Sequence, residues 1–274
     1  MSSALIPAGL YEAIEACLLA REPELKLALT AAVAERVAAG ERPSDLAHRI
    51  LPLAVPGRPE RPELVAPREL KQRKLSSPQG RAALVHAVAH IEFNAINLAW
   101  DAAYRFRHAG FDYLRDWASV AADEARHFAL LQQRLQDLGW TYGDFPAHNG
   151  LWETAVATAG DFVARMALVP RVLEARGLDV TPGMIERLRA VGDEATVAAL
   201  EVILAEELRH VAVGDRWYRW ACAAAGLDAE AHFRRLVEGQ FRSLRGPFNA
   251  PARLAAGFSP AELTWLLEQD RAAA

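Results

Sequence analysis

Glu124 and His127 stand three residues apart, and so do Glu207 and His210. On an α-helix that spacing puts both side chains on one face, where a carboxylate oxygen and an imidazole nitrogen can reach one metal ion. One E-x-x-H is weak, since any glutamate-rich helix can contain it. Here there are two, each after a further glutamate at near-equal distance: Glu92 precedes Glu124 by 32 residues, and Glu174 precedes Glu207 by 33. Of the 8 histidines in the chain, two fall at these positions. The chemistry this suggests is ligation of transition-metal ions by carboxylate and imidazole.

The acids also lie where acids are expensive. Val85, Val88, Ile96, Ala99 and Ala103 recur at helical spacing, and Glu92 sits on their line. Trp117, Ala121, Phe128, Leu131, Leu135 and Leu138 form a second stripe that contains Glu124 and is bordered by His127. Leu200, Ile203, Val211 and Gly214 form another, with Glu207 in it and His210 at its edge. Val163, Ala167 and Pro170 lead to Glu174. A carboxylate in an apolar interior costs several kcal/mol unless it is paired or bound to metal. Cations at the centre of a helical core remove that penalty. The competing reading of the E-x-x-H pairs is two surface Glu-His pairs, which would take the stripes' centres away. For Glu92 it is a buried salt bridge with Arg126 or Arg209. Glu153 rivals Glu174 as the third-helix ligand.

The elements that must position these residues are helices, because alanine, leucine, glutamate and arginine dominate and strand-like alternation is absent. Two helices are expected within 8–39, broken near Arg21–Pro23. Pro52, Pro56, Pro59, Pro62 and Pro67 forbid a helix over 52–67, which reads as an extended linker over the surface. Arg68, Lys71, Arg73, Lys74 and Arg81 make a basic run that is either a solvated face or a contact for an anionic substrate or membrane surface. Long helices are then predicted from about Gly80 to Arg107, Asp112 to Leu138, Leu151 to Arg176 and Asp193 to Ala225, with a short one after Thr181-Pro182. Pro170 should kink the third. From Ala229 come one or two more helices, broken at Gly246-Pro247. Four long antiparallel helices pack as a four-helix bundle. The expected organisation is an N-terminal extension and linker over 1–75, the bundle over 76–258 and a C-terminal helix over 259–274.

Composition bounds the rest. The chain has 274 residues, 52% hydrophobic and 24% charged, with a net charge of −4. That supports a sizeable core, excludes disorder as the main state and argues against nucleic-acid binding. No apolar run is expected to be long enough to cross a bilayer. Glu12 and Glu15 interrupt Met1–Leu19, so no secretory signal is read there. The two cysteines, Cys17 and Cys222, make no disulfide scaffold and fit a reducing cytoplasm. His86 and His90, four apart, lie off Glu92's face and are expected at solvent or an interface. His48, His108, His148 and His232 read as surface or loop residues. Trp140, Trp152, Trp217 and Trp220 read as packing, and Cys222 as a small core residue. The apolar, tryptophan-rich composition suggests a homodimer.

A glutamate from each of two helices and E-x-x-H from each of two others resembles the ferritin-like di-iron or di-manganese carboxylate pattern. Asp123-Glu124-Ala125-Arg126-His127 and Glu206-Glu207-Leu208-Arg209-His210 resemble the D-E-x-R-H motifs of bacterial di-iron monooxygenases. The second has Glu where that family prefers Asp. The resemblance implies that Asp123 orients His210 and Glu206 orients His127, with Arg126 and Arg209 beside them. Lys74 to Trp100, with Ser-Pro-Gln-Gly-Arg and His90-Ile91-Glu92-Phe93-Asn94, is similar to a family of uncharacterised bacterial ferritin-like proteins (domain of unknown function 455). That likeness covers about 74–258 and implies a fold without a substrate.

By this resemblance the protein is a non-haem di-metal oxidoreductase, with two Fe ions or Mn/Fe as cofactor. It would use O₂ or a peroxide to hydroxylate, desaturate or oxidise a small molecule, supplied with electrons by a reductase. Glu92, Glu124 and His127 would hold one metal and Glu174, Glu207 and His210 the other, with Glu124 and Glu207 as bridges. No residue beyond the ligands is nominated as catalytic. Leu131 stands where the ribonucleotide reductase small subunit carries its tyrosine. Two E-x-x-H motifs disfavour a storage ferritin. Two other readings remain: a metal-binding or iron-handling protein without substrate turnover, and a structural bundle that has lost its metal.

Overall fold

The structure is a computed structural model and describes residues 6–71, 73–241 and 244–272. The first five residues of the Met1–Leu19 segment lie outside the described residues, as do Gln72 in the N-terminal stretch and the last two residues of the C-terminal one. Among the described residues the architecture is all-α, as expected. There is no strand, only one isolated bridge between Leu64 and Ala147. The helices are α1 (Leu10–Leu19), α2 (Pro23–Ala38), α3 (Pro78–Arg105), α4 (Phe111–Asp137), α5 (Gly150–Ala157), α6 (Phe162–Leu168), α7 (Ala175–Arg189), α8 (Glu194–Ala224), α9 (Ala229–Gln240), α10 (Ala250–Ala255) and α11 (Pro260–Ala272). They fall into two compact units, Met1–Val156 and Ala157–Ala274.

The first unit is built on the hairpin of α3 and α4. Ser77 caps α3 by accepting from Gly80 N, and Pro78 occupies its first turn. Gly110 takes φ 90° at the tight connection, a conformation that suits glycine alone. α1 packs on α3 and α2 on α4. Lys26 on α2 is fully buried, and its Nζ donates to Cys17 O (2.6 Å) and to Asn97 Oδ1 (2.7 Å) on α3. Burial pushes this ammonium down to about 7. The Pro-rich stretch runs without α-helix, ends in a single 3-10 turn at Pro67–Glu69 and is fastened at intervals. Gly57 N donates to Leu18 O (2.7 Å), Val65 N to Ala147 O (2.8 Å) and Trp152 Nε1 to Ala54 O (3.0 Å).

α3 corrects the expectation that no run could span a bilayer. By length and composition it passes, with a mean hydropathy of 1.2 over 18 residues, but 78% of that window is buried within the protein. A core helix covered on several faces reads apolar all round for the same reason a membrane span does.

The second unit is built on α6, α7 and α8, with α9 to α11 packed around them. Here the third predicted helix needs correction. It does not run unbroken from Leu151 to Arg176. It breaks after α5, and Asp161 restarts it by accepting from Ala164 N (2.9 Å). It then passes through a π-helical segment, Val169–Glu174, and continues as α7 beyond Gly177 and through Pro182 to Arg189. Thr181-Pro182 therefore starts no separate helix. Pro182 cannot donate to the carbonyl of Leu178, and the Asn249 side chain donates to it instead (3.1 Å). The C-terminal region carries three helices among the described residues, α9, α10 and α11, rather than one or two.

Candidate metal centre

In the first unit α3 presents Glu92, and α4 presents Glu124 and His127, to the same interior. Their exposures are 3%, 0% and 0%. His127 Nδ1 lies 3.2 Å from Glu92 Oε2 and 3.3 Å from Glu124 Oε2. Each of the three offers a ligand atom within 4.8 Å of the others. The surface-pair reading of Glu124 and His127 is thereby set aside, and Glu92 faces an imidazole. Burial alone would push that imidazole down, but the hydrogen bonds and charges of Glu124 and Glu92 outweigh it and raise His127 to about 10. In the metal-free chain the protonated ring is thus the positive partner of the carboxyl groups around it. Two carboxylates and one imidazole form a donor set that suits Fe, Mn or Zn, so the residues present fit a divalent transition metal.

The second unit repeats the arrangement of elements. Glu174 ends the π segment, and α8 carries Glu207 and His210 one turn apart. They are 8%, 9% and 0% exposed, and His210 Nδ1 stands 3.7 Å from Glu207 Oε2. The π segment answers the sequence expectation of a distortion at Pro170. An inserted residue rotates the downstream turns, which re-aims a side chain without ending the helix. Gly214 accommodates the Pro170 ring, whereas a Cβ added at Gly177 would meet Glu207 Cγ at 4.0 Å, an ordinary contact. Glu153, the rival to Glu174, is exposed on α5.

Around the ligand candidates, Asp123 is half-buried and forms an ion pair with the exposed Arg126 (2.6 Å). Glu206 is half-buried, and Arg209 is exposed. Behind the second half-site Arg171, wholly buried on the π segment, pairs with Asp215 (2.9 Å) and Glu262 (2.6 Å). Its guanidinium lies over the rings of Tyr218, Phe233 and Phe258. Arg253 pairs with Asp179 (2.7 Å). Through these ion pairs α10 and α11 brace the segment that carries Glu174.

His86 and His90 contradict the expectation of solvent or an interface: they are 0% and 5% exposed. The stretch between α4 and α5 covers that face of α3. Gly143 N donates to His86 Nε2 (2.9 Å), and His90 Nδ1 lies 2.9 Å from Tyr142 Oη. Burial lowers both rings to about 4. His48 lies in a loop as expected, half-buried and 2.9 Å from Glu15. Trp152, Trp217 and Cys222 are buried as expected, while Trp220 is 43% exposed. Sequence reasoning missed the partner Tyr142, Lys26 and Arg171. A loop tyrosine and two charged residues on helices carry no local signal of burial.

The family model described as protein of unknown function (DUF455) matches residues 19–264, and the chain belongs to that family. It is similar to an uncharacterised protein of Haemophilus influenzae, with 47% identity over 222 residues, 78% of this chain and 77% of the relative. No solved structure matches it.

Proposed function

We propose that this member of the DUF455 family is a di-metal carboxylate oxidoreductase of ferritin-like architecture. Glu92, Glu124 and His127 would hold one ion and Glu174, Glu207 and His210 a second, with two Fe or Mn/Fe as the metals. The observation that carries the reading is the wholly buried Glu92–Glu124–His127 group, whose ligand atoms lie within 4.8 Å. The second unit supports it by repeating the residue types on corresponding helices.

When bound, such a pair of ions supplies electrons to O₂ or a peroxide for oxidation of a small organic substrate. The chain's own part is to bind, orient and exclude. The Glu92 and Glu124 carboxylates both lie against His127 Nδ1 and orient its ring for a cation that would take the place of the proton there. Burial of all three side chains keeps bulk water from that group. Asp123 and Glu206 precede the ligand glutamates and are assigned to orient the histidines, with Arg126 and Arg209 beside them. An electron donor, a reductase, completes the cycle.

The test is metal analysis of protein purified from its own host, followed by substrate screening under O₂. The reading expects two metals per chain, loss of metal from Glu124→Ala and Glu207→Ala, and an oxidised organic product. Metal uptake without any organic product would favour the iron-handling alternative. Absence of metal from the native protein would overturn both.

A further inference from the structure

The basic run at the end of the Pro-rich stretch is not absorbed by the metal reading. Lys71 and Arg73 lie at the wall of a cavity of about 160 Å³ in the first unit. Its floor is the outer face of α3, where Ala83, Ala87 and Ile91 stand one turn apart, and its far side is Phe145, His148 and Leu151. No aspartate or glutamate lines it among the described residues.

We propose that this cavity binds a small organic carboxylate with an apolar, ring-sized body. The walls divide by chemistry. Phe145 and Leu151 are buried, and with Ile91, Ala83 and Ala87 they offer an apolar enclosure. A dry apolar cavity of about this volume holds a benzene-sized ring. Arg73 is half-buried with its guanidinium 5.2 Å from the Phe145 ring centroid. Stacking on an aromatic face fixes a guanidinium's plane and leaves its N–H edges for a carboxylate. Lys71 adds a second cation at the rim. His148 Nδ1 accepts from Gly150 N (3.2 Å), which places the ring proton on Nε2 as a further donor.

The back wall is preorganised. His90 is nearly wholly buried, and its Nε2 lies 3.1 Å from the carbonyl of His148. That contact fixes the 145–151 side against α3. The cations therefore face an apolar wall of low dielectric, where their field on a bound anion is strengthened. Inorganic phosphate, with no apolar part, would gain the cations and lose the enclosure.

The probe is phenylacetate, titrated by calorimetry into metal-free full-length protein, with inorganic phosphate as the comparison. Phenylacetate is expected to bind at least about tenfold more tightly than phosphate. Arg73→Ala and Lys71→Ala, both away from the core, are expected to weaken it, Arg73→Ala by about tenfold. Ala87→Phe, which fills the cavity and leaves both cations, is expected to abolish binding. Circular dichroism of each variant keeps the comparison to folded protein. The proposal is overturned by absence of phenylacetate binding, by binding that Ala87→Phe leaves intact, or by equal affinity for phosphate. The readout needs no metal, so its failure leaves the proposed metal site standing.

Discussion

The ring of Pro170 rests against the bare backbone of Gly214, where any Cβ would collide with it. Pro170 sits in the π segment that ends at Glu174, and Gly214 lies one turn beyond His210 on α8. The contact sets how closely the second unit's ligand-bearing helices approach. Gly214→Ala is expected to cost about 1–3 kcal/mol, because a packed interior resists an added methyl. Urea unfolding measures that cost. Metal content of the folded variant should fall with it, whereas Gly183→Ala, at a glycine with open space around it, should leave metal content unchanged.

His127 holds its proton to about 10 in the metal-free chain, so a metal arriving at neutral pH must displace it. Metal uptake is expected to release protons and to tighten as pH rises from about 6 to 8. Calorimetry in buffers of differing ionisation enthalpy reads the proton count directly. A proton release the same in His127→Gln as in the wild type would contradict the assignment.

His86 and His90 titrate in the opposite sense. Their folded values, near 4, lie below the ordinary value of 6.5, so the unfolded chain takes up protons first as the solution is acidified. Their contribution to stability is complete above pH 6.5 and is lost as pH falls toward 4. The melting temperature of the metal-free protein should drop through that window. The double variant His86→Gln/His90→Gln should start from a lower plateau and show a shallower slope.

Arg171 pairs with Asp215 and Glu262 in a buried network that Arg219 shares. Arg171→Ala leaves carboxylates buried without their first cation and is expected to cost about 3–5 kcal/mol. Adding Glu262→Gln should recover part of that loss. Chemical denaturation of the single and double variants checks both statements, and a simple sum of the two single effects would speak against the network.

Metal removal should act through the native state alone. A chelator is expected to lower the melting temperature of metal-loaded wild type and to leave that of Glu124→Ala unchanged, since a ligand that binds only the folded form stabilises it. Scanning calorimetry with and without chelator makes the comparison.

Helices whose ends are set by local chemistry were legible in the sequence. α3, α4 and α8 begin and end within a few residues of where Ser77, Gly110, Gly139 and Gly226 place them. The third helix was not, because Gly177 and Pro182 carry stop signals that the fold overrules: α7 runs through both, and Asn249 supplies the donor Pro182 lacks. Glu92, Glu124 and His127 were legible as acids and a histidine on apolar stripes. The burial of His86 and His90 was not, since it depends on a connection that folds back over α3 through Gly143 and Tyr142.

Lys26 ties α2 both to the end of α1 and to α3, whose apolar length would suit a lipid bilayer. Chains leave the ribosome N-terminus first. The residues of α1 and α2 are therefore synthesised before the segment they cover in the folded chain. Deleting the first 38 residues is expected to uncover part of that segment and to raise the chain's tendency to aggregate.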